Sequence, residues 1–411
     1  MEFTWPGKRQ AFASALEPTC KQIEPAVWKD NLVVIGDNLD ALKLLRTPYA
    51  QQVKVIYIDP PYNTGKSFVY QDDFRLHDKT LSKANRRHVG WLNMMSPRLL
   101  LSREFLREDG VIFISIDDKE LAHLLLLMDE IYGFENRCGI IVWERKKKPS
   151  FLHGQLVNRV EYIVAYAKNR TKTGPFTHGE VQVGKRYPFN NLGNAMSTLT
   201  FAKHSVSFGL ADGTVAAQNM STLNVPCELL DQVTIRDGTN QNEFRMKGQW
   251  RYSQDTLDQF VRDNEHLSIS KLPFRPNIHR SRAKGRKMSN LLLLSENFPT
   301  YEDAQQEQFE IFSAKVFDYP KPLGLICHLL GAVMKSDDIA MDFFAGTGTT
   351  GHATVALNAK DNGKRRFICI QRDEHKEDHL PISDLLIQKI KWAFQTHEID
   401  TTSLSICNIM D

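Results

Sequence analysis

The feature that most restricts the fold is a set of short apolar, β-branched runs separated by segments with helical spacing. Leu32 to Ile35, Val53 to Ile58 and Val111 to Ile116 are such runs. Between them, Leu39 to Leu45 and Trp91 to Arg107 repeat apolar residues three and four apart, and Asp109-Gly110 closes the second segment. Strands that are apolar on both faces belong in a parallel sheet covered by helices on both sides. Lys119 to Ile131 reads as a further helix, and Gly139 to Trp143 and Tyr162 to Tyr166 as further strands. The rhythm stops near Lys168. It resumes with a helix at Pro322 to Met334, a strand at Ile339 to Phe343, a helix at Thr349 to Leu357 and a strand at Phe367 to Ile370. The expected fold class is therefore α/β, a doubly wound sheet interrupted by an inserted module. The expected divisions are an N-terminal extension (1–30), a first half (31–167), the module (168–315), a second half (316–395) and a C-terminal tail (396–411).

A length of 411 residues accommodates such a domain with its insert, and 42% hydrophobic and 25% charged residues is an ordinary globular balance. No stretch approaches the roughly 18 to 20 apolar residues of a membrane span, and Glu2, Lys8 and Arg9 replace an apolar signal core. The expectation is a cytoplasmic protein without a membrane partner. The six cysteines are scattered, with neither disulfide nor zinc-site spacing. The thirteen histidines include no metalloprotease-type pair on one helix turn, so no metal is expected.

Two strand ends carry the chemistry. Val53 to Ile58 runs into Asp59-Pro60-Pro61-Tyr62, and the carboxyl end of a sheet strand is where α/β proteins place ligands. The prolines fix the main chain, so the Asp59 carboxylate and the Pro60 carbonyl can accept two hydrogen bonds from one amino group, beside the flat ring of Tyr62. The second end is Asp342-Phe343-Phe344-Ala345-Gly346-Thr347-Gly348-Thr349-Thr350-Gly351. Glycines there let a ligand approach the backbone at a helix start. By spacing alone Gly346, Gly348 and Gly351 also match a dinucleotide fingerprint, but the following strand ends in Gln371, where that reading needs an acid; Asp373 and Glu374 lie just beyond. Gly65-Lys66-Ser67 is not a phosphate loop, because Pro60 stands where its first glycine belongs.

Together these segments resemble the β-group of amino-methyltransferases, and most closely the modification subunits of type III restriction systems. The resemblance rests on Gly36-Asp37 before a helix, on Asp59 to Tyr62 followed by Asn63-Thr64-Gly65, on Gly110 to Asp117 and on Val160 to Asn169. It is completed by Phe317-Asp318-Tyr319-Pro320-Lys321-Pro322 and then Asp342 to Gly351. The order, catalytic motif before glycine loop with a recognition domain between, belongs to the same group. The resemblance implies a Rossmann-like S-adenosylmethionine-dependent methyltransferase fold with permuted motifs and an inserted target-recognition domain. It implies that Asp59 and Pro60 bind the target amine, that Pro61 stiffens the turn and that Tyr62 stacks on a flipped base. Phe317, Asp342, Phe343, Gly346, Gly348 and Thr349 would line the cofactor site, with Asp37 near the adenine and Gln371 in place of the usual ribose-binding acid.

The expected activity is adenine-N6 methylation of duplex DNA, within or related to a restriction-modification system. The alternatives are cytosine-N4 methylation on the same fold, which Asp59 disfavours because serine is common there in that class, and a non-catalytic recognition subunit. Phosphate contacts are expected from two basic clusters, Arg145, Lys146, Lys147 and Lys148, and Arg280, Arg282, Lys284, Arg286 and Lys287. Trp143 and Trp250 are expected in the core. A separate restriction subunit and a homodimer are partners that the resemblance alone implies.

Overall fold

The computed structural model describes residues 3–65, 72–74, 82–148, 155–180, 185–279, 285–374 and 380–411. The chain divides into two compact units, Met1–His178 with Lys287–Asp411, and Gly179–Arg286.

In the first unit, among the described residues, ten strands form one sheet. Their order is Gln22–Glu24, Leu404–Met410, Asn31–Ile35, Arg366–Gln371, Ile339–Asp342, Val53–Ile58, Leu106–Ile116, Val160–Ala167, Arg137–Glu144 and Leu291–Leu292. The six from Leu404–Met410 to Leu106–Ile116 are parallel to one another, and Gln22–Glu24 at one end and Val160–Ala167 at the other run antiparallel to them. Side chains alternate between faces, so Ile56 and Ile58 join one core while Val55 and Tyr57 join the core on the other face. Helices Asn38–Tyr49, Lys83–Phe105 and Leu121–Tyr132 contribute to the first core; Leu323–Gly331 contributes to the second. With both faces covered, every residue of Val53–Ile58 is buried. That is why the run is apolar but for Lys54, whose ammonium is paired with Asp109 at 2.9 Å.

The expected strands and helices are present, most with ends shifted by a few residues. The divisions differ more. The tail is not a tail: Leu404–Met410 enters the sheet beside Asn31–Ile35, and Gln22–Glu24 of the extension pairs with its other edge. The extension also supplies helix Lys8–Leu16, tied to the unit by Trp5 Nε1 donating to Asn93 Oδ1 at 2.8 Å and by a Lys8–Glu130 ion pair at 2.6 Å. The separate unit is narrower than 168–315, because helix Tyr301–Phe312 belongs to the first unit, with Tyr301 in its core.

The second unit has its own core, rich in aromatics such as Phe189, Phe201, Phe244 and Phe274. Its strands are short, mostly antiparallel and half-buried, as in Phe244–Gln249 where buried and less buried residues alternate. Trp143 and Trp250 are buried, as expected. No helix among the described residues is long and apolar enough to cross a membrane.

Candidate active site

The strands ending at Ile58 and Asp342 are neighbours in the sheet although they lie in opposite halves of the chain. Both ends open into one cavity of about 750 Å³ within the first unit. Asp37, Asp59, Pro60, Pro61 and Tyr62 line it, together with Phe317, Asp342, Phe343, Gly346, Thr349 and Gln371. Of the predicted cofactor residues only Gly348 lies elsewhere. Its φ of +84° needs glycine, and a Cβ there would meet Leu386 at 3.2 Å, so backbone conformation and helix packing account for it.

The Asp59 turn is held from outside the cavity. Trp91 Nε1 donates to the Pro61 carbonyl at 2.7 Å. Asn63, fully buried at φ +57°, receives support on every polar edge. Its N–H donates to Asp72 at 2.7 Å, its amide to the Arg87 carbonyl at 2.9 Å and to Glu120 at 2.6 Å, and its carbonyl accepts from Arg87 Nε at 2.9 Å. A buried amide so satisfied fixes one backbone conformation.

Asp59 itself sits in a network that no single motif of the sequence contains. Its Oδ2 accepts from Lys321 Nζ at 2.7 Å and its Oδ1 from the Tyr62 hydroxyl at 2.8 Å. Lys321, 5% exposed, also donates to the Tyr301 hydroxyl at 3.1 Å and lies 3.6 Å from Glu161. Glu161, 2% exposed, accepts from Tyr301 at 2.8 Å and from Arg145 at 3.1 Å. Burial pushes the Asp59 carboxyl up from its ordinary value, while the Lys321 ammonium pulls it down. The Lys321 ammonium also stands 5.2 Å from the centre of the Tyr62 ring.

The glycine loop is built differently. Asp342, 2% exposed, accepts from the Thr350 hydroxyl at 2.5 Å and from the Phe344 N–H at 3.0 Å. Burial pushes its carboxyl up to about 7, against the pull of those two donors. Gln371 Oε1 accepts from the Gly346 N–H at 2.8 Å, so this side chain shapes the loop from the neighbouring strand. Behind it Lys389, 2% exposed, donates to the Thr349 hydroxyl at 2.9 Å, and burial lowers its ammonium to about 8. Gln308 holds the Phe317 segment, accepting from the N–H groups of Val316 and Phe317 at 3.0 Å each. Asp37 caps helix Asn38–Tyr49 through the Leu39 N–H at 2.8 Å while it lines the cavity.

The expected phosphate clusters change composition. Arg145 is engaged by Glu161 with 16% of its side chain exposed, which removes it from the free surface cations. Lys147 pairs with Asp303, Lys146 lines the cavity, and Lys148 is exposed. Arg286 and Lys287 are exposed, whereas Arg280, Arg282 and Lys284 lie outside the described residues.

Comparison with known proteins gives a consistent answer. The Mod subunit of the type III restriction-modification enzyme StyLTI of Salmonella typhimurium is 32% identical over 84% of this chain and 52% of its own length. The EcoPI Mod subunit of Escherichia phage P1 is 32% identical over 88% and 60%. The type II methyltransferase M.KpnI of Klebsiella pneumoniae is 28% identical over 91% and 90%. The chain thus spans just over half the length of the type III relatives. A family model described as DNA methylase, covering N6 and N4 methyltransferases, matches residues 53–380, from the strand that leads into Asp59 to beyond Gln371. The chain therefore belongs to the N6/N4 DNA methylase family.

Proposed function

We propose that this chain transfers a methyl group from S-adenosylmethionine to the N6 amine of an adenine turned out of duplex DNA. The observation that carries the reading is the convergence of Asp59 and the glycine loop, distant in sequence, on one cavity. Its volume suits a small-molecule site. The residues fit the cofactor: at Gly346, φ +53°, the nearest atom to an added Cβ is the Phe317 ring edge at 4.0 Å, so bare backbone borders open space beside an aromatic ring, and the carboxyl of Asp342 lines the same cavity to meet positive charge. When bound, the cofactor supplies a methyl group made electrophilic by a sulfonium.

The chain's own residues then act on the amine. An aromatic amine is a poor nucleophile because its lone pair is delocalised into the ring. Acceptors at Asp59 and the Pro60 carbonyl draw on its two hydrogens and localise that pair. Lys321 favours the ionised form of Asp59, which is placed to accept the proton lost as the N–C bond forms. Holding the reactants in line contributes on the order of 7 to 11 kcal/mol at best. Turning out the base costs a few kcal/mol, and stacking on Tyr62 offsets roughly 1 to 3 kcal/mol of it. For the amine to reach Asp59 Oδ1 the Tyr62 hydroxyl must yield or share it, which couples base entry to ring placement.

The likeness to Mod subunits supports a role within a type III restriction-modification system, with a separate restriction subunit as partner and the Gly179–Arg286 unit reading the DNA. The test is transfer of labelled methyl groups to mixed-sequence duplex DNA, followed by nucleoside analysis, with Asp59→Ala as control. N6-methyladenine absent in the control is the expected result. N4-methylcytosine overturns the choice of base, and no product despite cofactor binding overturns catalysis by this chain alone.

A further inference from the structure

Away from the cavity, helix Lys83–Phe105 meets the start of helix Leu121–Tyr132 at two imidazoles and one carboxylate. Glu120 is fully buried. Its Oε1 accepts from Asn63 Nδ2 at 2.6 Å and lies 2.8 Å from His88 Nδ1. Its Oε2 lies 3.1 Å from His123 Nδ1, an approach without hydrogen-bond geometry, and neither atom has a hydrogen-bond partner among the described residues. The two rings stack with centroids 4.1 Å apart, each presenting Nδ1 to the same carboxylate. A buried carboxylate oxygen that accepts nothing is costly and requires a cause.

We propose that His88, Glu120 and His123 bind one divalent cation of the zinc class. Their ligand atoms all lie within 4.8 Å of one another, so small rotations bring them to the roughly 2.0 to 2.2 Å that zinc takes from nitrogen and carboxylate oxygen. Two imidazoles and a carboxylate form a borderline ligand set that suits zinc over magnesium or calcium. One cation satisfies Glu120 Oε2 and His123 Nδ1 together. The imidazoles are 25% and 29% exposed, which gives a cation a path in and leaves room for a solvent ligand. None of the three residues lines the catalytic cavity. The link to it is Asn63, whose amide donates to the Glu120 oxygen facing His88. The cation would thus fasten the turn that follows Tyr62, a positioning role with no part in methyl transfer. The sequence signal was Glu120-x-x-His123, which has one histidine on its helix and takes the other from a neighbouring one.

The test uses the full chain without a histidine tag, freed of metal by chelation. Equilibrium dialysis against Zn²⁺ should give one equivalent per chain, and Co²⁺ should give visible absorption of a nitrogen–oxygen site. Outer-shell partners of metal sites typically matter roughly 10- to 100-fold, so loss of a ligand in His123→Ala or His88→Gln should weaken Zn²⁺ binding on the order of 100-fold. Both histidines are partly exposed, and far-UV spectra should show both variants folded. Zn²⁺ should raise the melting temperature of the parent chain and leave that of His123→Ala unmoved. No bound Zn²⁺ in the parent, or parent-like binding in both variants, overturns the proposal and leaves a hydrogen-bonded His–Glu–His cluster.

Discussion

Two neighbouring strands of one sheet each deliver an aspartate to the same cavity, and the two aspartates have different surroundings. Asp59 lies in a turn stiffened by two prolines and faces the Lys321 ammonium at 2.7 Å. Asp342 heads a glycine loop and, among the described residues, has only neutral donors, the Thr350 hydroxyl and the Phe344 N–H. Burial raises both carboxyls; at Asp59 a cation opposes it, while at Asp342 the carboxyl reaches about 7. Asp342 is also the more buried, 2% exposed against 25% for the Asp59 side chain, so burial and partners together decide the character of each acid. On the proposed function the first is a fixed anionic acceptor for the amine. The second is poised to ionise when positive charge enters the cavity.

The largest effect should come from Asp59→Ala, which removes the acceptor and leaves the sheet intact. Methyl transfer should fall on the order of 10³-fold, within the span of roughly 10² to 10⁴ for lost proton-transfer groups. Asp342→Asn should lose much less at neutral pH, because its carboxyl is already partly protonated there. Single-turnover rates of both variants check this, and equal losses would erase the distinction between the two acids.

Lys321→Gln comes next, because of the two aspartates it touches Asp59 alone. Without the ammonium nothing comparable opposes burial at Asp59, so less of the carboxyl is ionised at a given pH. On the acid limb transfer should fall roughly 10-fold for each unit by which the pKa of that carboxyl rises, because its ionised form becomes tenfold scarcer at any pH well below it. The acid limb of kcat/KM should move to higher pH, with recovery under alkaline conditions. An unmoved limb would mean that Lys321 serves packing or base entry.

Asp342 supplies an effect on stability, not on transfer, with a distinctive sign. Its folded value of about 7 lies above the ordinary 3.8, so the native state favours the protonated form. The stabilisation this gives is fully present below the unfolded value and is lost as pH rises through 7. Across that window the parent should lose on the order of 4 kcal/mol from this group, an upper limit for one buried carboxyl. Asp342→Asn should lack that loss, so it should gain relative to the parent between pH 4 and pH 8 in urea unfolding. A relative loss over the same range would show Asp342 held as an anion.

The sequence exposed the two acids and hid what separates them. Asp59 and Asp342 stand out because each ends an apolar strand and opens a run of prolines or glycines, both local signals. Their nearness depends on the pairing of Ile339–Asp342 with Val53–Ile58, which the permuted motif order implied without showing the register. Lys321 lies inside the Phe317 to Pro322 motif, but its partners come from three other segments. Glu161 arrives on the antiparallel strand Val160–Ala167, and Tyr301 on a helix that sequence rhythm alone places in the inserted module. A charged residue within an apolar run, as in Val160-Glu161-Tyr162-Ile163, was the available signal, because burial of a lone carboxylate demands a partner. The strand Leu404–Met410 escaped because a short run after the last motif reads as a tail. The module was expected but its strands escaped, because half-buried antiparallel strands dilute their apolar residues with polar ones.

The smallest expected effect sharpens the comparison from the glycine side. Gln371 Oε1 receives the Gly346 N–H at 2.8 Å, while its amide donates to the Arg372 carbonyl at 2.9 Å. The first bond holds the loop, the second orients the amide that makes it, and neither touches Asp59. Replacing a neutral hydrogen bond of this kind costs about 0.5 to 1.5 kcal/mol. Gln371→Ala should therefore weaken S-adenosylmethionine binding roughly 2- to 12-fold, leave kcat at saturating cofactor nearly unchanged and keep the pH profile of transfer in place. Isothermal titration against the cofactor, paired with saturating kinetics, separates the outcomes. A fall in kcat with unchanged affinity would show that the loop also sets the placement of the methyl group against the amine. The two strand ends would then work as one unit, because the glycine side would share in the chemistry otherwise confined to Asp59 and Lys321.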